Sequence, residues 1–67
     1  MVRVCLDKKL EKIGITRYEL SKRSGVQYQV VDSYYKNRAK RYDKKVLDRL
    51  CNALNCEISD ILEYVKD

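Results

Sequence analysis

Thr16 and Gly25 bracket a short helix whose start and stop are both written in the residues. Thr16 stands three residues before Glu19, a T-x-x-E capping box in which hydroxyl and carboxylate each satisfy an otherwise unpaired backbone N–H. Leu20 is its inward-facing residue. Gly25 closes the segment, because glycine takes the left-handed conformation that ends a helix without strain. A second helical pattern follows at once over residues 27–36, with Val30, Val31 and Tyr34 at apolar spacing and Asn37 as its cap. A tight turn containing glycine sets two such helices at a steep angle. One can then lie across a phosphate backbone while the other enters the major groove, which is wide enough for an α-helix. The geometry asks for a small residue where the helices cross, a glycine in the turn and an aliphatic anchor on the second helix. Ser21, Gly25 and Val31 hold those places. Helical hairpins that never touch DNA share the same spacing.

The flanking segments supply the rest of a bundle. Leu6, Leu10 and Ile13 recur at i, i+4 and i+7, so a first helix is expected over residues 5–12 with these three on one face and Gly14 as its stop. Val2-Arg3-Val4 alternates and reads as a short extended arm. Residues 38–42 are basic and without helical period, hence a loop. Asp43 caps a fourth helix, Lys44–Leu54, with Val46, Leu47, Leu50, Cys51 and Leu54 as its inner stripe and Asn55 as its stop. Ser59 is expected to cap a short fifth helix over residues 60–64, with Ile61 and Leu62 closing the core and Ile58 just outside it. The expected architecture is a single all-α domain of five helices spanning residues 1–67, with the helix-turn-helix at about 16–36.

With 67 residues the chain is one domain, and one that buries only about 60% of its unfolded surface. It has no proline, two glycines and 45% hydrophobic residues, a composition for a compact bundle rather than a disordered chain. No apolar run approaches the roughly 20 residues of a membrane span, and MVRVCLDKK is too charged for a secretory signal. Cys5, Cys51 and Cys56 are odd in number and lack C-x-x-C spacing, so they read as reduced thiols in a cytoplasmic protein, with Cys51 in the core. A redox switch or an intermolecular disulfide is the other reading of these residues. There is no histidine, no glycine-rich phosphate loop and no metal-ligand cluster, so neither an enzyme, a cofactor nor a metal is expected.

Charge is uneven along the chain. Of a net +5, residues 36–49 carry +5 from Lys36, Arg38, Lys40, Arg41, Lys44, Lys45 and Arg49 against Asp43 and Asp48. Residues 55–67 carry −3 from Glu57, Asp60, Glu63 and Asp67 against Lys66. A focused positive field attracts a polyanion such as nucleic acid, although a solvated Lys-rich face has the same composition.

Taken together, TRYELSKRSGVQYQVVDSYYKN resembles the helix-turn-helix of the Cro/phage-repressor class, the XRE family, and LDRLCNALNCEISDILEY is similar to its fourth and fifth helices. The likeness covers roughly residues 6–64 and is closest to small members that are little more than the DNA-binding domain. It implies a lambda-repressor-like fold and a sequence-specific double-stranded DNA-binding regulator, acting as a homodimer with no small-molecule effector. Four positions depart from the family pattern. Ser21 stands for the usual alanine, Tyr34 for an Ile or Leu anchor, Asn37 for a frequent glycine and Val30 for a Ser or Thr. The Tyr34 hydroxyl must therefore find a partner or reach solvent.

Carried over by position, the base-reading candidates are Gln27, Tyr28, Gln29 and Ser33. A Gln amide can donate and accept against adenine, and Tyr28 can donate or pack on a thymine methyl. The phosphate candidates are Arg17, in the first turn of the second helix, and Lys36, Arg38, Lys40 and Arg41, which follow the recognition helix. Such contacts position the protein without specifying sequence. Asp32 would repel phosphate and is expected away from the backbone or in a helix-stabilising role. Lys44, Lys45 and Arg49 are expected to face solvent, with Asp48 spaced to pair with Lys44 or Lys45. The tyrosines Tyr18, Tyr35, Tyr42 and Tyr64 suit packing or interface roles better than base stacking. The competing function is an antitoxin-like or adaptor module that binds a protein partner through its acidic C-terminus and tyrosines.

Overall fold

The computed structural model describes residues 1–66. Strand β1 (Val2–Val4) leads into helices α1 (Leu6–Ile13), α2 (Arg17–Ser24), α3 (Tyr28–Tyr35) and α4 (Lys44–Leu54). A single 3₁₀ turn, Ile58–Asp60, and strand β2 (Leu62–Tyr64) complete the chain. Among these residues no helix is long and apolar enough to cross a membrane.

The four long elements begin and end where local chemistry dictates. Gly14, Gly25 and Asn55 all take positive φ at helix ends, which returns the chain without leaving the last carbonyls orphaned. Asp43 caps α4 by accepting from the backbone N–H of Lys45 at 2.8 Å and of Val46 at 3.4 Å. The core gathers Val4, Leu6, Leu10, Leu20, Val26, Val31, Tyr34, Leu50, Leu54 and Ile61. Every helix and both ends of the chain contribute to it. Ile13 departs from the expected α1 face: it is the last residue of the helix, beyond the packed region, and it is exposed. Among the thiols, Cys5 is the buried one, whereas Cys51 is only half-buried at the edge of the α4 stripe.

The expected fifth helix is not formed. Ile58–Asp60 makes one 3₁₀ turn, in which Glu57 N–H donates to Asp60 Oδ2 at 3.0 Å, so the cap is Glu57 and not Ser59. Leu62–Tyr64 is extended and pairs antiparallel with β1, in the register Val2 with Tyr64, Arg3 with Glu63 and Val4 with Leu62. The architecture is therefore four helices plus a two-stranded ribbon. A segment this short cannot hold a helix by itself. The arm at the other end of the chain offers it backbone partners and a β-branched, alternating face.

The ribbon is tied to α3 by a side chain. Cys5 N–H donates to Ile61 C=O at 2.8 Å and Val65 N–H to Met1 C=O at 2.7 Å. Alternation along an antiparallel ladder then turns the N–H and C=O of Val4 to the opposite edge. There the Asn37 amide meets both: Val4 N–H donates to Oδ1 at 2.7 Å and Nδ2 donates to Val4 C=O at 2.9 Å. Asn37 thus acts as a one-residue third strand. The same alternation turns the backbone N–H and C=O groups of Leu62 and Tyr64 to the free edge of β2, while the Leu62 side chain packs against the core. Met1, Val2, Ile58, Tyr64 and Val65 form exposed apolar surface on and beside the ribbon.

Candidate nucleic-acid interface

The helix-turn-helix is built by α2 and α3. Thr16 Oγ1 accepts from Glu19 N–H at 3.1 Å, the forward half of the expected capping box. The return half is absent: Glu19 Oε1 instead accepts from Arg23 Nε at 3.2 Å, one turn along the exposed face. Gly25 sits at φ +74° with open space where a Cβ would stand, so the position demands a backbone conformation and not a small side chain. Two serines close the turn. Ser21 Oγ donates to Val26 C=O at 2.6 Å, and Val26 N–H donates to Ser24 Oγ at 3.1 Å. The hydroxyl at position 21, where an alanine was the expected residue, pins the start of the next helix to the body of α2.

Helix α3 is anchored from below and open above. Val31 and Tyr34 are buried. The Tyr34 hydroxyl accepts from Asp43 N–H at 2.9 Å, and its ring meets Tyr42 edge-on at 5.4 Å. The departure from an aliphatic anchor is thereby satisfied, and the basic loop is fastened at its far end. Gln27 is the residue before the helix and, with Tyr28 and Gln29, is exposed. Ser33, one turn on, is half-buried. Three of the four base-reading candidates therefore stand free at the N-terminal end of α3, where the first backbone N–H groups are also unpaired within the helix.

The phosphate candidates divide into two groups. Arg17 and Lys36 are brought together, and Asp32 is the reason. Arg17 Nη1 lies 2.5 Å from Asp32 Oδ1, and Lys36 Nζ lies 3.3 Å from Asp32 Oδ2. The Arg17 guanidinium also covers the Tyr35 ring at 4.5 Å. Partial desolvation pushes the Asp32 carboxyl upward, but Lys36 and Arg17 outweigh it and hold it below the usual carboxylate range. Arg38, Lys40 and Arg41 are exposed along the loop, and among the described residues none of them has an acidic partner within ion-pair distance. The expected pairing of Asp48 with Lys44 or Lys45 is likewise not made there. Lys44, Lys45 and Arg49 do face solvent.

Two participants are not predicted by the sequence in these roles. The Lys36–Asp32 half of the cluster follows from i, i+4 spacing, but nothing local brings Arg17 to it. The Asn37 clamp on Val4 likewise has no local signal, since its partner is 33 residues away. Among the described residues no group of three or more His, Cys, Asp or Glu is placed to hold a metal ion. Burial pushes all three thiols above their ordinary pKa, so none is an activated nucleophile.

Compared with known proteins, the chain matches the family model of the Cro/C1-type HTH DNA-binding domain over residues 5–67. A search of curated proteins gives no match.

Proposed function

The chain belongs to the Cro/C1-type helix-turn-helix DNA-binding domain family, and on that premise we propose that it is a sequence-specific transcriptional regulator that reads double-stranded DNA with α3 in the major groove. The observation that carries this reading is the two-sidedness of α3. Val31 and Tyr34 fix one side in the core, while Gln27, Tyr28 and Gln29 project freely from its N-terminal end. That is the end from which recognition helices reach base edges. In this reading Gln27, Tyr28, Gln29 and Ser33 contact bases. Arg17, Lys36, Arg38, Lys40 and Arg41 hold the phosphate strand on either side. The protein acts in the cytoplasm, as a homodimer on an inverted repeat whose half-sites lie about 34–36 Å apart. The outward edge of β2 and the apolar residues around it supply a surface through which a second copy can pair.

The test is a fluorescence-anisotropy titration on the upstream region of its own gene across a salt series. Five phosphate contacts per protomer predict a slope of about −4 to −5 in log K against log salt. A flat slope, or equal affinity for a scrambled duplex, refutes specific DNA reading.

One observation favours the alternative of a protein-interaction module, antitoxin-like or adaptor. The apolar surface of the ribbon joins Met1 and Val2 to Ile58, Tyr64 and Val65 of the acidic C-terminal part, with Tyr64 73% exposed. Charge reversal at Arg17, Lys40 and Arg41 separates the two readings. If partner binding and cellular function survive it, DNA is not the ligand that matters.

A further inference from the structure

Between Glu19 and Asp43 the chain has one acidic residue, Asp32, among Lys22, Arg23, Lys36, Arg38, Lys40 and Arg41. It is not on a remote face of α3. Its two oxygens take one cation each, Arg17 through Oδ1 and Lys36 through Oδ2. These are two of the five side chains to which the proposed function assigns phosphate. The cluster joins the first turn of α2 to the C-terminal end of α3. It lies at the surface, with the side chains of Arg17, Lys36 and Asp32 33%, 43% and 24% exposed. A carboxylate that splits its oxygens between two cations makes the contacts that two non-bridging oxygens of a phosphate would make.

We propose that Asp32 is an internal counterion that competes with the DNA backbone for Arg17 and Lys36, so that binding transfers both cations from carboxylate to phosphate. The inference rests on the DNA-binding reading above and deepens it by naming what holds affinity down. In the free protein part of the electrostatic attraction of Arg17 and Lys36 is already satisfied. On a duplex, the carboxylate is left beside phosphates with its partners withdrawn. Because phosphates carry no sequence information, the penalty is the same on every duplex. A domain of net +5 is thereby kept from lingering on bulk DNA, while the ratio between matched and unmatched sites is left to α3. The Tyr35 ring beneath Arg17 keeps the guanidinium in place during the exchange, since its contact does not involve the carboxylate.

The opposite role is a positioning one, in which Asp32 aims Arg17 at its phosphate, and the two roles predict opposite signs. The experiment measures the full chain and its Asp32→Asn, Asp32→Ser and Asp32→Glu variants on a labelled mixed-sequence duplex of about two helical turns, across a salt series. Each variant is first checked for fold by circular dichroism. The neutral variants make the same five phosphate contacts and keep the same salt slope, but they no longer break two surface ion pairs on binding, so they bind roughly fivefold more tightly at 0.1 M salt. The gain is equal on a scrambled duplex, and Asp32→Glu binds like wild type. Lys36→Gln costs a larger factor in the Asp32→Asn background than alone, because the lysine is then fully available to phosphate. Should Asp32→Asn unfold the domain, Asp32→Ser and the cost of Lys36→Gln beside Asp32→Glu carry the same comparison. Unchanged or weaker binding by the folded neutral variants overturns the inference while leaving the DNA reading intact. If wild type itself binds no duplex in a salt-dependent way, the DNA reading falls and takes the inference with it.

Discussion

Replacing Asn37 by alanine is expected to cost the fold about 3 kcal/mol, and the sum can be built contact by contact. Asn37 makes two hydrogen bonds to the Val4 backbone, at 2.7 and 2.9 Å, and both are partly buried. Each contributes about 1 kcal/mol, more where the abandoned Val4 groups cannot reach water. Asn37 also sits at φ +58°, a conformation that costs alanine roughly 1 kcal/mol or more. Asn37→Gly removes the amide but keeps the backbone freedom, so it is expected to lose about 2 kcal/mol. A domain of this length has a total margin of about 3–10 kcal/mol. The alanine variant therefore consumes a large share of it, and its melting temperature falls by about 12–24 °C. Urea and thermal unfolding followed by circular dichroism read these differences directly. A second readout is local: release of β1 uncovers Cys5, which follows Val4 and bonds Ile61 across the ribbon, so thiol labelling accelerates in both variants. If Asn37→Ala and Asn37→Gly both melt within about 2 °C of wild type, the clamp contributes nothing. If they are equally destabilised, the positive φ is not what alanine pays for.

Three further outcomes follow from the same geometry. Gly25→Ala is expected to cost only about 1–2 kcal/mol, the left-handed penalty alone, because a Cβ meets nothing within 4 Å; a much larger loss in urea unfolding would refute the open space at that position. In native protein Cys5, 8% exposed and donating to Asp60 C=O at 3.6 Å, is expected to react with a thiol reagent more slowly than Cys51 or Cys56. All three label together in urea, and mass spectrometry after partial labelling ranks them. The Asp32 carboxyl is held below its ordinary pKa by Lys36 and Arg17, so its stabilising contribution is fully present above its unfolded pKa of about 3.9. That contribution is lost as pH falls through the lower folded value. Acid titration of stability is accordingly shallower below about pH 4 in Asp32→Asn than in wild type.

Much of the helix-turn-helix was legible because its signals act over one turn of chain. Thr16 caps α2, Gly25 ends it, Asp43 caps α4 and Asn55 closes it, each through a neighbour within a few residues. The anchor pair Val31 and Tyr34 follows from the helical period in the same way. Burial of that pair leaves the start of α3 outside, where the family resemblance puts Gln27, Tyr28 and Gln29. The tail departs from its local signals for the complementary reason. Residues 58–64 contain a helix-like cap and apolar pair, but the segment is too short for those local preferences to prevail.

What tertiary structure alone decided are the pairings between residues far apart in sequence. Strand β2 exists because Val2–Val4 comes to lie beside it across almost the whole chain. Asn37 is a clamp because that strand then presents Val4 to it. Arg17 meets Asp32 only after the turn at Gly25 has folded α2 against α3. Sequence by itself determined the caps, the turn and the exposed end of α3, since those depend on hydrogen bonds and steric limits within one turn. The ribbon and the carboxylate that holds two of the cations were settled by packing, because a contact between distant residues has no energy until the chain has closed the loop between them.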